Sequence, residues 1–186
     1  MTPLPLRLNL GAGRYPLPQA VGWQNWDADP ETPADRHVRV PPIPLAEGSV
    51  AEVYMGHLLE HFEPPEASDL LRECHRVLVP GGALGVVVPN TRKVLAHYLA
   101  GDHTEVEVPE RVFWNLDDLD AVCRVFLFST IQPSRHRWAY DARTLLAALE
   151  RAGFHVEDSI RPDDPRLSVP SWWDLGYSCR KRERRV

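Results

Sequence analysis

The stretch Leu70-Leu71-Arg72-Glu73-Cys74-His75-Arg76-Val77-Leu78-Val79-Pro80-Gly81-Gly82-Ala83-Leu84-Gly85-Val86-Val87-Val88-Pro89-Asn90 changes its period in the middle. In its first half, extended back to Ala67, apolar side chains fall at Ala67, Leu70, Leu71, Cys74, Val77 and Leu78. That is the 3.6-residue spacing of a helix with one buried stripe. Pro64 and Pro65 suit its first turn, where an amide has no helical partner to lose. Pro80-Gly81-Gly82 is expected to end it. Ala83 to Val88 then forms a β-branched run bounded by Gly82 and Pro89, the pattern of a strand covered on both faces. A helix feeding such a strand is a piece of a parallel α/β unit.

Working outward, the same alternation continues. Upstream, Val50 to Met55, His37 to Val40, Gly22 to Asp27 and Arg7 to Leu10 read as four strands. Downstream, Thr91 can cap a helix through Leu99, and Val112, Leu116, Leu119, Val122 and Phe126 suggest another. Asp141 can cap a third helix, with Leu145, Leu146, Leu149 and Ala152 on one face and Gly153 past its end. Phe154-His155-Val156 and Asp174 to Cys179 are late strands. The expected fold is α/β: a mostly parallel sheet with helices on both faces, in one domain over 1–186, with 91–140 as an insertion. The connection from Gly11 to Gly22 is too short for an ordinary crossover, and Pro16 and Pro18 oppose a helix there. The first connecting helix is therefore expected to be reduced or absent.

Composition narrows the partners. The chain has 186 residues, 44% hydrophobic and 25% charged, enough for one core and ordinary for a globular domain. The formal charge of −5 argues against a nucleic-acid binder, although Arg180 to Arg185 form a basic terminal run. No apolar run is long enough to span a membrane, and no secretory signal is visible, so a cytoplasmic protein is expected. Cys74, Cys123 and Cys179 are scattered, which suits free thiols and neither a disulfide framework nor a zinc pattern.

Three features carry chemistry. Leu10-Gly11-Ala12-Gly13 ends the first strand in Gly-x-Gly, which lets backbone approach a ligand because no Cβ intrudes. A dinucleotide fingerprint would want a third glycine where Pro16 stands, so NAD is disfavoured. Asp27 ends the second strand, where a carboxylate can accept both hydroxyls of a ribose; Asp29 is the nearby substitute. Finally, His57-Leu58-Leu59-Glu60-His61 would put His57 and His61 on one face if helical. Glu60 is misplaced for the metalloprotease pattern and no third ligand is evident, so no metal is assigned. The two histidines are read as packing and hydrogen-bonding groups or as a base. Trp114, Trp138, Tyr140, Trp172 and Trp173 could line a pocket or fill the core.

The pieces LNLGAG at 8–13, GWQNWDADP at 22–30, PLAEGSVAEVYMGHLLEHF at 44–62, LLRECHRVLVPGGALGVVVPN at 70–90 and AYDARTLLAALERAGF at 139–154 resemble the class I S-adenosylmethionine-dependent methyltransferases of the small bacterial "type 11" kind. The resemblance implies a Rossmann-like methyltransferase fold with S-adenosyl-L-methionine as cofactor. Leu10, Gly11, Ala12 and Gly13 would cradle its methionine part, and Asp27 with Ala28 would hold the ribose. Val40 and Leu45 would flank the adenine, and His57 would lie near the reacting methyl. The acceptor would be a small molecule or glycan, received under 91–140, with His57, His61 and then His136 as candidate catalytic groups. Two departures stand out. The acid often found after the third strand is replaced by Val38-Arg39-Val40, and the first helix is missing. A non-catalytic cofactor-binding or partner protein is the alternative, and a homodimer is a further expectation.

Overall fold

The computed structural model describes residues 5–100, 136–167 and 173–182. The elements are β1 (Arg7–Leu10), a 3-10 turn (Gln19–Val21), β2 (Trp23–Asp27), β3 (Arg36–His37), β4 (Val50–Gly56), a 3-10 turn (Leu59–His61), α1 (Pro64–Val77), β5 (Leu78–Pro89), α2 (Thr91–Leu99), α3 (Ala142–Arg151), β6 (Phe154–Ser159) and β7 (Asp174–Lys181). They form one seven-stranded sheet in the order β3-β2-β1-β4-β5-β7-β6. β1 to β5 pair in parallel, and β7 runs antiparallel between β5 and β6. From β1 the chain steps outward to β2 and β3, then returns to place β4 on the other side of β1. The switch point of the sheet, where open α/β folds bind ligands, is therefore between β1 and β4.

Strand alternation sorts the core. Val53, Met55, Val86 and Val88 point into the main core, where they meet Leu70, Leu71, Cys74 and Val77 of α1 and Leu145 and Leu149 of α3. Tyr54 and Val87, one residue out of phase, point to the opposite face with Leu17 and Trp23. Among the described residues that second face is covered by loops, through Leu17, Ile160 and Leu167. Arg166 completes the cover, lying over the Tyr54 ring and bonded to Glu52 and Asp164.

The short first connection is held from beneath. Buried Asn25 takes the Leu17 amide on Oδ1 at 2.7 Å and donates Nδ2 to the Leu17 carbonyl at 3.0 Å. Asn9 donates to the same Oδ1 from the neighbouring strand at 2.9 Å. Only the three-residue turn Gln19–Val21 is helical here, as Pro16 and Pro18 require.

α1 begins as expected, with Pro at its first positions and a capping box between Glu63 and Glu66. It ends earlier than expected, at Val77: Leu78 is already extended and Pro80-Gly81-Gly82 lies inside β5, with Gly81 at φ +69°. β3 is shorter than the sequence suggests, only Arg36 and His37; Val38 still donates its amide to the Asp27 carbonyl at 2.8 Å, and the pairing ends there, before Pro41. α3 starts at the Asp141 cap, which accepts the Thr144 amide at 2.8 Å. The helix expected over Val112 to Phe126 lies outside the described residues. No helix among the described residues is long and apolar enough to cross a membrane.

Candidate functional site

Register decides what meets at the carboxyl edge of the sheet. Leu10 pairs with Trp26, so the glycine loop leaves β1 beside the end of β2. The Gly11 and Ala12 amides both donate to the Trp26 carbonyl, at 2.8 and 3.1 Å. Gly13 follows in a left-handed conformation, φ +54°, and its amide donates to Asp27 Oδ2 at 2.8 Å. The other oxygen of Asp27 accepts the Asp29 amide at 2.9 Å. Each carboxylate oxygen retains a lone pair for a further donor. A Cβ built on Gly13 would meet nothing within 4 Å, whereas one on Gly11 would lie 2.7 Å from Leu58 Cδ1. The loops after β1 and β4 are thus in direct contact, and open space lies over Gly13.

The remaining expected contact residues differ in what they can offer. The Leu10 and Ala12 side chains are buried, so Leu10 presents only backbone to a ligand. Ala28 is exposed next to Asp27. Val40 packs in the main core and Leu45 is half-buried against it. The Ile43–Leu45 segment is tied to α1: Glu73 accepts the Ile43 amide, and Arg76 donates to the carbonyls of Ile43 and Leu45, each at 2.8 Å.

On the other side of Leu58 lies a cluster of ionisable groups. His57 closes β4 with φ +53°, and its amide donates to the Val87 carbonyl at 2.9 Å. The turn Leu59–His61 that follows is 3-10, so His57 and His61 do not share a helical face as the spacing suggested. They meet instead around Glu60, whose side chain is fully buried. Glu60 Oε1 is 3.4 Å from His57 Nδ1 and 3.8 Å from His136 Nε2. His61 and His136 stack edge to face, ring centres 4.8 Å apart. His136 arrives because the Glu60 carbonyl accepts the amides of Arg137 and Trp138, at 2.8 and 3.1 Å. Tyr140 is buried beside it and bridges to Asn90 at the end of β5. Asp174, which starts β7 opposite Pro89, places Oδ1 3.3 Å from His57 Nε2.

Charge in this cluster is set by those contacts. Burial opposes a proton on His57, but contact with Asp174 and Glu60, and their negative charge, outweighs it and lifts the ring to about 10. Burial likewise pushes the Glu60 carboxyl up, and the surrounding histidines overcome it and hold Glu60 below its ordinary value. Burial, with the Glu60 charge, pushes the Tyr140 hydroxyl up to about 12. At neutral pH His57 is therefore an imidazolium and a donor, and Tyr140 is neutral.

All three histidines singled out in the sequence gather at one place. Two partners were missed. Glu60 reads as an ordinary acid in an amphipathic turn, and only its burial distinguishes it. Asp174 is brought in by the antiparallel return of β7, which no local signal announces. Of the aromatics, Tyr140 and Trp173 are buried, Trp138 is 45% exposed, and Trp114 and Trp172 lie outside the described residues.

Residues 27–86 match the family described as "Methyltransferase domain". Among curated proteins none matches the chain. The fold recurs in an S-adenosylmethionine-dependent methyltransferase from Mesorhizobium loti, 19% identical, covering 94% of this chain and 90% of that one with a TM-score of 0.58. It recurs in 1,6-didemethyltoxoflavin-N1-methyltransferase from Burkholderia thailandensis, a structure with bound 1,6-didemethyltoxoflavin and S-adenosylhomocysteine, at 20% identity, 96% and 71% coverage and TM-score 0.56. A third example is an S-adenosylmethionine-dependent methyltransferase from Archaeoglobus fulgidus, at 14% identity, 96% and 86% coverage and TM-score 0.59. The fold is that of the class I S-adenosylmethionine-dependent methyltransferases.

Proposed function

From a class I S-adenosylmethionine-dependent methyltransferase fold, we propose that this chain binds S-adenosylmethionine at its β1–β2 edge and transfers the methyl group to an oxygen or nitrogen of a small-molecule or glycan acceptor. The observation that carries this reading is the pairing of the Gly13 amide with Asp27 beside open space, in a loop whose Gly11 packs against Leu58, the residue that follows His57. A left-handed Gly13 without a Cβ and an Asp27 with spare lone pairs fit a ribose and a methionine chain lying across the loop. The bound cofactor supplies an electrophilic methyl on a sulfonium.

The protein's part is alignment and exclusion of water, which in-line displacement chiefly needs. Leu10 to Gly13 offer backbone to the cofactor, Asp27 accepts the ribose hydroxyls, and the Ile43–Leu45 segment flanks the base. His57, held protonated with Nδ1 facing Glu60 and Nε2 facing Asp174, lends positive charge beside the reacting centre rather than taking a proton. Removal of the acceptor proton falls to His61 or His136. The negative formal charge supports a small molecule or glycan over a nucleic acid.

Titration calorimetry with S-adenosylhomocysteine and with NAD tests the first half. Binding of the former and not the latter is expected, and the reverse would overturn the reading. An acceptor screen reading out S-adenosylhomocysteine tests the second half. Tight cofactor binding with no turnover on any hydroxyl or amine acceptor would instead identify a cofactor-binding protein without this activity.

A further inference from the structure

The sequence offers two histidines and a glutamate within five residues and no third partner in reach; the fold supplies it. One ligand atom each from Glu60, His61 and His136 lie within 4.8 Å of one another. Ligands arranged tetrahedrally around zinc at bonds of about 2.1 Å stand about 3.4 Å apart. The Glu60–His136 edge, at 3.8 Å, is close to that already. The remaining edges, within 4.8 Å, would close to about 3.4 Å around a bound ion.

The backbone beneath these atoms is pre-arranged. Glu60 and His61 are neighbours in one 3-10 turn, and the Glu60 carbonyl holds the amides of Arg137 and Trp138 directly after His136. Three ligands thus come from two chain segments that are hydrogen-bonded to each other, which limits the ordering cost of binding. Glu60 gives the independent sign of a ligand. It is 1% exposed, and neither carboxylate oxygen has a hydrogen bond of normal geometry among the described residues. The His57 imidazolium at 3.4 Å offsets its charge, but without a hydrogen bond of normal geometry both oxygens keep lone pairs for a further cation. His57 Nδ1, at 3.4 Å, is placed to steady the carboxylate as an outer partner.

We propose that Glu60, His61 and His136 form a binding site for one divalent transition-metal ion of the zinc class. Two imidazole nitrogens and one carboxylate oxygen are a borderline donor set, suited to zinc and cobalt and poor for calcium or magnesium. Three protein ligands leave one tetrahedral position for water or for an oxygen or nitrogen of a bound molecule. The assignment rests on these side chains alone; with an ion bound, His61 and His136 are ligands, so the base role given to them above belongs to the metal-free chain.

The test uses the full chain, stripped with a chelator and titrated with Zn²⁺ in competition with a chromophoric chelator. One equivalent is expected, with a dissociation constant of about 10 μM or tighter. Co²⁺ in its place should give the visible bands of a tetrahedral nitrogen–oxygen site. Glu60→Gln and His136→Ala should each weaken Zn²⁺ binding by more than about tenfold. His155→Ala, an exposed histidine on β6, should not. Circular dichroism monitors folding; if Glu60→Gln unfolds, His136→Ala carries the comparison. Failure of the parent chain to bind Zn²⁺ below about 100 μM would overturn the proposal. So would unchanged affinity in His136→Ala, or a sulfur-to-cobalt charge-transfer band, which would move the ion to a cysteine.

Discussion

Replacing Asp27 is the perturbation with the most direct consequence. Its carboxylate accepts the Gly13 amide on one oxygen and the Asp29 amide on the other, at 2.8 and 2.9 Å. Asp29 is exposed, so its freed amide returns to water at little cost; the Gly13 bond is half-buried and is the one that counts. A hydrogen bond to a charged group is worth about 1.5–3 kcal/mol, and partial exposure argues for the low end. Asp27→Ala should therefore lose about 1–2 kcal/mol of stability, a fall in Tm of about 2–8 °C for a domain of this size. Cofactor affinity should suffer more. On the proposed reading the same carboxylate also holds the ribose, and losing that contact should raise the dissociation constant for S-adenosylhomocysteine by about tenfold to a hundredfold. Asp27→Asn should lie between, because its NH2 group must face one of the two backbone donors. Differential scanning fluorimetry and titration calorimetry on the three proteins measure both effects. A folded Asp27→Ala with S-adenosylhomocysteine affinity within about twofold of the parent would refute the placement of the ribose.

Gly13→Ala introduces a methyl that meets no protein atom, so only its left-handed backbone should count against stability, about 1–2 kcal/mol, while cofactor affinity drops by at least about tenfold; unchanged affinity would mean that the space over Gly13 is not used. His57→Asn keeps a residue tolerant of positive φ but removes the imidazolium. The folded pKa of His57 lies above its unfolded value, so the stability it contributes is complete below about pH 6.5 and is lost as pH rises towards about 10. The gap in Tm between parent and variant should therefore be widest near pH 6 and close near pH 10, and an equal gap at both ends would contradict the charge assignment. Arg76→Ala releases the carbonyls of Ile43 and Leu45, and a loss of about 1 kcal/mol there should weaken S-adenosylhomocysteine binding about fivefold with the helical signal retained. No change in affinity would detach the Ile43–Leu45 segment from the cofactor.

What could be read in advance depended on how local its cause was. α1 and β5 are visible because side-chain period and proline chemistry act over a few residues, and the absence of a first helix follows from Pro16 and Pro18 in the same way. The end of α1 was misplaced because β4 recruits Leu78 into the sheet, a tertiary pairing that overrides the Pro-Gly-Gly break. The glycine loop and Asp27 were legible as strand ends. The histidine cluster was legible only as parts: His57 and His61 stood out, but helical spacing was the wrong geometry, since a left-handed residue and a 3-10 turn follow β4. His136 and Asp174 join it through long-range returns of the chain, and Glu60 becomes distinctive only once it is buried.

The clamp between Asn25 and Leu17 reaches into the dynamics of the molecule. A connection of about a dozen residues closes at low entropic cost, so the β1–β2 pair is among the more local parallel pairings a chain can make. Nothing from a first helix has to form before it, and the buried amide of Asn25 supplies both hydrogen bonds that the loop backbone at Leu17 requires. The Leu17 amide, in a stretch with no regular structure, should then exchange with deuterium as slowly as the strands beneath it, because opening it means withdrawing Asn25 from between β1 and the loop. The glycine loop and its proline-rich neighbour would open with the sheet as a single cooperative unit, not as a flap that frays alone.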